Sequence, residues 1–181
     1  MVAPGTPRLE TERLVLRRWD VAADLDAYAA LCADPDVMRY IGDGSTRTRA
    51  ECEEQLRAFE ETWTDRSLGL FATELRATGE LIGFIGLAIP DFLPEILPAV
   101  EIGWRLARAH WGRGYATEGA RAALAFGFDR VGLDRIVSVH VIGNDPSGNV
   151  MQKIGMHVDR ETVHPRTGRP VRVYAIDKPV S

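Results

Sequence analysis

The hydrophobic pattern changes its period along the chain. In the first third, apolar residues recur every three or four positions, which predicts helical segments over residues 24–33 and 36–41 behind a first strand at 13–17. Thr48 and Glu51 have the spacing of a capping box, which predicts that a further helix begins there. The apolar side chains that this helix carries at helical intervals are Leu56, Phe59 and Trp63.

From residue 69 onwards apolar and polar residues alternate, which is typical of strands. Strands are expected at 69–75 and 81–87, joined by a tight turn at Gly79, and again at 100–106. The remaining elements are a helix at 114–129, a strand at 135–142, a helix at 147–154 and a closing hairpin of strands at 156–163 and 169–176. This order predicts one domain over residues 1–181 with an α/β fold, a mixed and mainly antiparallel central sheet flanked by helices.

Composition argues against several classes of protein. The chain has 181 residues, of which 45% are hydrophobic, enough for one sizeable core, and its net charge of -4 argues against nucleic acid as a partner. Cys32 and Cys52 have neither metal-ligand spacing nor a histidine cluster beside them, so no metal site is expected. No apolar run is long enough for a signal peptide or a bilayer span, which predicts a cytoplasmic protein without membrane contact.

The stretch HWGRGYATE, residues 110–118, stands between an expected strand and an expected helix. Two glycines, Gly112 and Gly114, flank one arginine, and three interpretations compete. In the first interpretation, the glycines only allow a tight connection between strand and helix. In the second, they begin a dinucleotide-binding G-x-G-x-x-G pattern. In the third, they let an anion approach the N–H groups of the helix start. The dinucleotide pattern fails at its third glycine, where Thr117 stands, and the order of strands lacks the doubly wound arrangement.

This stretch resembles the phosphate loop of the GNAT superfamily of acetyl-CoA-dependent N-acetyltransferases, and its residues WGRGYATE are typical of the RimJ/RimL-like branch of that superfamily. Trp111 departs from the family pattern, because many members carry Gln or Arg there. NDPSGNVMQKIGM (residues 144–156), AVEIGW (99–104) and ERLVLR (12–17) resemble further segments, so the likeness extends over nearly the whole chain. The resemblance implies the GNAT acyltransferase fold and acetyl-CoA as co-substrate, without a metal.

The resemblance also implies where acetyl-CoA binds. Backbone N–H groups of the glycine stretch would bind the pyrophosphate with help from the helix dipole. The central strand would splay from its neighbour and offer main-chain groups to the pantetheine, as in the addition of a strand to a sheet. A pantetheine amide would bond to an asparagine side chain. The implied cofactor-binding residues are Trp104, Arg105 and Leu106 on the strand, Gly112, Arg113, Gly114, Tyr115, Ala116 and Thr117 in the glycine stretch, and Asn144.

Two residues are candidates for catalysis. Glu101, on the central strand beside the expected thioester, would accept the amine proton directly or through a water molecule, although a lone strand glutamate usually faces solvent. By the same resemblance, Ser147 would hydrogen-bond the departing thiolate, because Met151 stands where many members carry a tyrosine acid. The alternative for this segment is an ordinary helix start, with Asp145 or Ser147 as its cap.

The acceptor is the least defined part of the prediction. The resemblance implies a primary amine, either a protein N-terminus or a small molecule, and the alternative is a non-catalytic protein that holds acetyl-CoA as a sensor. Candidate lining for an acceptor pocket is found in residues 36–41, at Trp63 and in the proline-rich stretch 90–98. Asp91 and Glu95 in that stretch would favour a cationic acceptor. A homodimer is compatible with the sequence.

Overall fold

The computed structural model describes residues 7–179. Its amino-terminal part consists of two short strands, β1 (Leu9–Glu10) and β2 (Leu14–Arg17), and three helices, α1 (Val21–Cys32), α2 (Pro35–Met38) and α3 (Arg49–Arg66). The capping box expected for α3 is confirmed. Thr48 accepts from the Glu51 N–H through its side chain, and the Glu51 carboxylate accepts from the Thr48 N–H at 2.7 Å.

The rest of the described chain alternates strands with two helices. These elements are β3 (Leu70–Leu75), β4 (Leu81–Ala88), β5 (Glu101–Leu106), α4 (Tyr115–Ala125), β6 (Arg135–Val141), α5 (Asp145–Lys153), β7 (His157–Val163) and β8 (Pro170–Asp177). The largest difference from the expected bounds is at the helix predicted to reach residue 129. α4 ends at Ala125 and continues as a wider π-helical turn, Phe126–Val131, whose first three residues are all buried by the core around them.

The eight strands of the described chain form one sheet in the order β1-β2-β3-β4-β5-β6-β8-β7. Neighbouring strands are antiparallel except β5 and β6, which are parallel because α4 makes the crossover between them. The expectation of a mixed, mainly antiparallel α/β sheet is confirmed. β5 lies between β4 and β6, and the connection from β5 to α4 contains both glycines of the opening motif.

Helices cover both faces of this sheet. α4 and α5 pack over one face, and α1 and α3 pack over the other. The second layer contains an aromatic cluster whose neighbouring ring centroids are 5.3 to 6.4 Å apart, formed by Trp19, Tyr28, Phe59 and Phe84. Trp63 is 2% exposed and its Nε1 donates to the Leu70 carbonyl at 3.0 Å, so it belongs to the core. None of the helices described is both long and apolar enough to cross a bilayer.

Candidate active site

The parallel strands β5 and β6 pair only at their beginnings. Glu101 is opposite Val137, and the Val137 N–H donates to the Val100 carbonyl at 2.9 Å. β4 stays paired with β5 through Leu106, and β8 stays paired with β6 through Val141, so the two halves of the sheet diverge. Beyond the first pair, the edge of β5 that faces β6 therefore has no strand partner in the described part of the chain.

Two side chains fill the base of this split. In a regular parallel ladder, the Val139 N–H would donate to the Ile102 carbonyl. Instead, the Ser138 hydroxyl donates to that carbonyl at 2.8 Å, and the Val139 N–H donates to Glu101 Oε1 at 3.3 Å. Each backbone group of the missing ladder bond is thus satisfied by a side chain, which allows the strands to separate at this point.

Glu101 is half-buried at the base of the split. Desolvation raises the pKa of its carboxyl to about 8, against a lowering by the Val139 N–H. Strand alternation puts Glu101, Gly103 and Arg105 on one face of β5. A Cβ built on Gly103 would meet no atom within 4 Å, so this face of the strand is open between its glutamate and its arginine.

The chain between β5 and α4 forms a 3-10 turn, Arg108–His110, followed by residues 111–117, which we call the glycine loop. Gly112 and Gly114 have φ values of 71° and 82°, in the left-handed region where a side chain causes strain. A Cβ on Gly112 would meet no atom within 4 Å, and one on Gly114 would meet the Arg13 guanidinium at 3.4 Å. The glycines allow the turn and leave open space in front of it.

α4 begins directly after this turn. Gly114 is its N-cap residue and offers no side-chain cap, and the Glu118 N–H donates to the Gly114 carbonyl at 3.0 Å. The preceding N–H groups, at Tyr115, Ala116 and Thr117, have no acceptor within the helix. Free N–H groups and the positive end of the helix dipole favour an anion at this position.

Arg13 and Glu118 hold the glycine loop in place. The Arg13 guanidinium donates to the Arg113 carbonyl at 2.9 Å and lies 4.7 Å from the centre of the Tyr115 ring. The Glu118 carboxylate accepts from Arg13 Nε at 2.7 Å, from the Arg13 N–H at 2.8 Å and from the Thr11 hydroxyl at 2.6 Å. Burial alone would raise the pKa of Glu118, but the hydrogen bonds from Thr11 and Arg13 outweigh it, and the pKa is lowered. The carboxylate is therefore charged and keeps the loop attached to the first strands.

A cavity of about 460 Å³ connects the glycine loop with the end of β5. Its wall comes from four segments, namely the region of α2, the end of β5, the glycine loop with the turn before it, and α5. Ten of the twelve site residues expected from sequence line this cavity. They are Trp104, Arg105, Leu106, Gly112, Gly114, Tyr115, Ala116, Thr117, Asn144 and Ser147.

Glu101 and Arg113 are the two expected site residues that lie outside the cavity wall in the described chain. Glu101 is at the opposite end of β5 from Leu106, at the base of the split, where its carboxyl accepts from Val139. The Arg113 side chain is exposed to solvent, and only its carbonyl takes part in a contact, with Arg13. Glu101 and Ser147 therefore do not share the wall of this cavity.

α5 contributes Asn144 and Ser147 to the wall. The helix begins at Asp145, two residues earlier than expected, with Asn144 at the N-cap position and without a side-chain cap. Neither Asp145 nor Ser147 caps it, so the helix-cap alternative for Ser147 is wrong: Ser147 is already the third residue of the helix. Met151 is 1% exposed in the core.

Of the candidate acceptor segments, residues 36–41 contribute to the cavity wall, whereas the stretch 90–98 packs over β6 and β8. Sequence reasoning missed Arg108, His110 and Lys153, which also line the cavity. His110 is buried, and its Nε2 lies 3.1 Å from Glu80 Oε1. The sequence could have indicated Lys153, because it follows Ser147 by six residues, two intervals of three, along the helix expected there.

Within residues 7–179, no group of three or more His, Cys, Asp or Glu side chains has the arrangement of a metal site. The polar groups that converge on the cavity are instead backbone N–H groups, hydroxyls, the amides of Asn144 and Asn149, and cationic side chains, with Asp36 as the one carboxylate. Such a set suits a ligand with anionic and amide groups.

Comparison with known proteins agrees with this geometry. A family model described as an acetyltransferase (GNAT) domain matches residues 13–157. The chain is similar to a Bacillus subtilis (strain 168) protein described as the uncharacterized N-acetyltransferase YoaA, with 30% identity over 178 residues, which cover 96% of this chain and 98% of YoaA. A crystal structure of an acetyltransferase from Agrobacterium tumefaciens str. C58 has a TM-score of 0.81 and 29% identity, and covers 98% of both chains.

A structure of RimL, the ribosomal L7/L12 alpha-N-protein acetyltransferase, in complex with coenzyme A has a TM-score of 0.79. It covers 94% of this chain and 98% of the RimL chain at 14% identity, so the likeness concerns the fold. The fold that the sequence resemblance implied is confirmed by these structures.

Proposed function

The chain belongs to the GNAT acetyltransferase family, and on this premise we propose that it transfers an acetyl group from acetyl-CoA to a primary amine. The observation that carries the proposal is the junction, in one cavity, of the split between β5 and β6 with the glycine loop at the start of α4. The first offers unpaired strand edges and the second offers unpaired N–H groups. Together they suit a long ligand with amides in its middle and phosphates at its end.

In this proposal the pyrophosphate of acetyl-CoA is bound by the N–H groups from Arg113 to Thr117. The main chain of residues 104–106 bonds the pantetheine as an added strand would, and the Asn144 side chain bonds one of its amides. The open space at Gly112 is support for this placement, because a side chain there would occupy the position of the anion. A side chain on Gly114 would contact the Arg13 guanidinium, which holds the loop through the Arg113 carbonyl.

Glu101 is proposed to take the proton that the amine loses when its nitrogen attacks the thioester carbonyl. A carboxyl with a pKa of about 8 is matched to an α-amino group, whose own pKa is about 8. Because Glu101 lies outside the cavity wall, we propose that a water molecule relays the proton from the amine to its carboxylate.

Ser147 is proposed to donate a hydrogen bond to the departing thiolate. Its side chain lines the cavity, it makes no cap bond to the helix, and Met151 on the same helix is buried away from the cavity. A thiol with a pKa of about 8.5 is already a tolerable leaving group at neutral pH, so the contribution of the hydroxyl is modest.

The finer assignments have separate support. The assignment to the RimJ/RimL-like branch is supported by the sequence of the glycine loop. Membership of this branch would make a protein N-terminus one candidate acceptor beside a small-molecule amine. A cytoplasmic location, a homodimer and the organisation as one domain stay predictions. A sensor that holds acetyl-CoA without turnover is the alternative function.

The test is to incubate the purified protein with acetyl-CoA and a panel of primary amines and N-terminal peptides. Free thiol is measured against the same mixture without amine, and the acetylated product is identified by its mass. We expect thiol release that depends on the amine and matches the amount of product. Binding of acetyl-CoA in calorimetry without amine-dependent thiol from any member of the panel would favour the sensor instead.

A further inference from the structure

Arg105 is a charged side chain of the cavity wall whose contacts are all uncharged. Its Nη1 donates to the Tyr28 hydroxyl at 3.2 Å and to the Cys32 sulfur at 3.5 Å, and its Cζ lies 5.1 Å from the centre of the Phe84 ring. Its Nε is buried and has no hydrogen-bond acceptor. Among residues 7–179, no carboxylate bonds to this guanidinium.

The partners of Arg105 do not supply a negative charge. Tyr28 donates its hydroxyl hydrogen to Gln55 Oε1 at 2.6 Å, so its oxygen accepts from Arg105 as a neutral phenol. Burial raises the pKa of Tyr28 well above its usual value, against the opposing effect of Arg105. A half-buried guanidinium without a counter-ion is unfavourable, and an anion that enters the cavity would compensate it.

The other charged residues of the cavity wall also favour an anionic ligand. Asp36 is the one acidic side chain in the wall, and it forms an ion pair with Arg108. Arg39 and Tyr40 line the same end of the cavity, and Cζ of Arg39 lies 5.3 Å from the centre of the Tyr40 ring. The end of the cavity near α2 therefore has an excess of positive charge. The acidic residues of the stretch 90–98, which would favour a cationic acceptor, lie outside this wall.

We propose that the acceptor is a small primary amine that also carries a carboxylate, and that Arg105 binds this carboxylate. The inference rests on the proposed acetyl transfer and names its substrate class. Because Nη1 is engaged with Tyr28 and Cys32 and Nε is buried, Nη2 is the nitrogen that the guanidinium offers to the cavity. A hydrogen bond from a charged guanidinium nitrogen to a carboxylate oxygen is stronger than one between neutral groups.

The open face of β5 indicates how the amine and the carboxylate are spaced. Gly103 lies between Glu101 and Arg105 on one face of the strand, with open space above it. Four residues of extended strand span about 13 Å. An acceptor whose amine is directed towards Glu101 and whose carboxylate is bound at Arg105 therefore has several bonds between the two groups, as an ω-amino acid has.

The experiment compares matched acceptors in the wild-type protein and in Arg105→Gln. A series of ω-amino acids of increasing length is tested beside the amides of the same acids, which keep the amine and lose the negative charge. We expect the wild-type protein to have a higher kcat/KM for the acids. In Arg105→Gln, kcat/KM for the acids falls by about 10- to 100-fold, mainly through KM, as expected for the loss of a charged hydrogen-bonded pair.

Two variants control for charge and for folding. Arg105→Lys keeps the charge without the planar guanidinium and its place between Tyr28 and the cavity, and it is expected to recover only part of the preference. Arg57→Gln removes an arginine from the surface of α3, where it pairs with Glu53, and is expected to keep the full preference for acids. Acetyl-CoA affinity and the melting temperature of each variant show whether the cavity and the fold are intact.

Failure of this inference is distinguishable from failure of the proposed function. Equal or better use of the amides, of N-terminal peptides or of phosphate-bearing amines would overturn the carboxylate assignment while leaving acetyl transfer in place. If no amine is acetylated, calorimetry of ω-amino acids with the coenzyme A-bound protein still tests whether Arg105 binds a carboxylate. Binding that Arg105→Gln removes would support the anion site, and binding that is absent or unchanged in the variant would overturn it.

Discussion

The glycine loop, at one end of β5, and the split between β5 and β6, at the other, are built from different parts of the chain. At the loop end, consecutive residues from 111 to 117 supply backbone N–H groups, and the two glycines set their direction. At the split end, the decisive groups are side chains from β5, β6 and α1, namely those of Glu101, Ser138 and Tyr28 beside Arg105. An anion site of backbone groups is visible in a short motif, whereas a site of separated side chains depends on the assembled sheet.

The largest expected effect tests whether the loop end depends on its backbone. Gly114 and Gly132 have nearly the same φ, 82° and 81°, but only Gly114 lines the cavity. We expect Gly114→Val to lose measurable binding of coenzyme A in calorimetry, because its branched side chain meets the Arg13 guanidinium that holds the loop and strains the turn that directs the N–H groups. Gly132→Val should bind as tightly as the wild-type protein.

Both glycine variants should lose stability, since a left-handed residue with a side chain costs about 1–3 kcal/mol. Their melting temperatures separate this strain from the loss of ligand. Binding by Gly114→Val as tight as that by Gly132→Val would show that the loop does not hold the phosphates.

The second effect concerns the Glu101 carboxyl at the split end. If Glu101 is the base, Glu101→Gln should lower kcat/KM by about 100-fold at pH values above 8, a typical contribution of a general base. The difference should shrink at pH 6, because the raised pKa of about 8 leaves the wild-type carboxyl protonated and equally unable to accept a proton. Rates measured from pH 6 to 9 check this, and two parallel profiles would leave Glu101 with a structural role alone.

The same substitution should change the dependence of stability on pH. The pKa of Glu101 is about 8 in the folded protein against 4.5 for a free glutamate, so burial favours the protonated form. Its stabilising contribution is full below pH 4.5 and is lost as the pH rises through 8. Glu101→Gln should therefore gain about 2–4 kcal/mol relative to the wild-type protein between pH 5 and pH 9. Urea unfolding at both values measures the difference.

A smaller effect is expected from the hydroxyl at the base of the split. Ser138→Ala leaves the buried Ile102 carbonyl without its 2.8 Å donor and should cost about 1–3 kcal/mol of unfolding free energy. Thr73→Val is the matched control, because it removes another buried strand hydroxyl, whose bond to the Phe71 carbonyl is longer at 3.4 Å. Equal losses in the two variants would contradict a special role of Ser138 in the split.

The smallest effect on stability is expected at Ser147, in the wall of the cavity. Because Ser147 does not cap α5, Ser147→Ala should change the unfolding free energy by less than about 0.5 kcal/mol. A hydroxyl that assists the thiolate should instead slow acetyl transfer in a single-turnover experiment at unchanged acetyl-CoA affinity. Destabilisation by about 1 kcal/mol with an unchanged rate would restore the capping interpretation.

The contrast between the two ends explains what sequence reasoning could find. Strand and helix periods placed the elements, and the glycine motif indicated an anion loop, because both depend on local backbone chemistry. The hydrogen bonds that Ser138 and Glu101 make across β5 and β6 could not be predicted, since they depend on the register in which the two strands pair. The start of α5 was expected two residues too late, because Asn, Asp and Ser near a helix start all favour its beginning and do not fix the first residue.

The charge environment of Arg105 could not be read from its neighbours in the chain either. Trp104 and Leu106 indicate a strand, but the atoms that its guanidinium hydrogen-bonds belong to residues more than 70 positions earlier. The acidic residues of the stretch 90–98 are close to it in sequence and lie outside the cavity wall. Proximity along the chain was therefore a poor guide to the charge of the acceptor.

The attachment of Glu118 to the first strands has a consequence for the order in which the molecule matures. The carboxylate accepts hydrogen bonds from Thr11 and Arg13, which precede it by 107 and 105 positions. Contacts of such separation close a long stretch of chain and form slowly. During synthesis, the amino-terminal strands leave the ribosome long before residue 118 does, so they wait for a partner that arrives late. The phosphate affinity proposed for the glycine loop is thus acquired only after residue 118 has been translated and the first strands have docked onto α4.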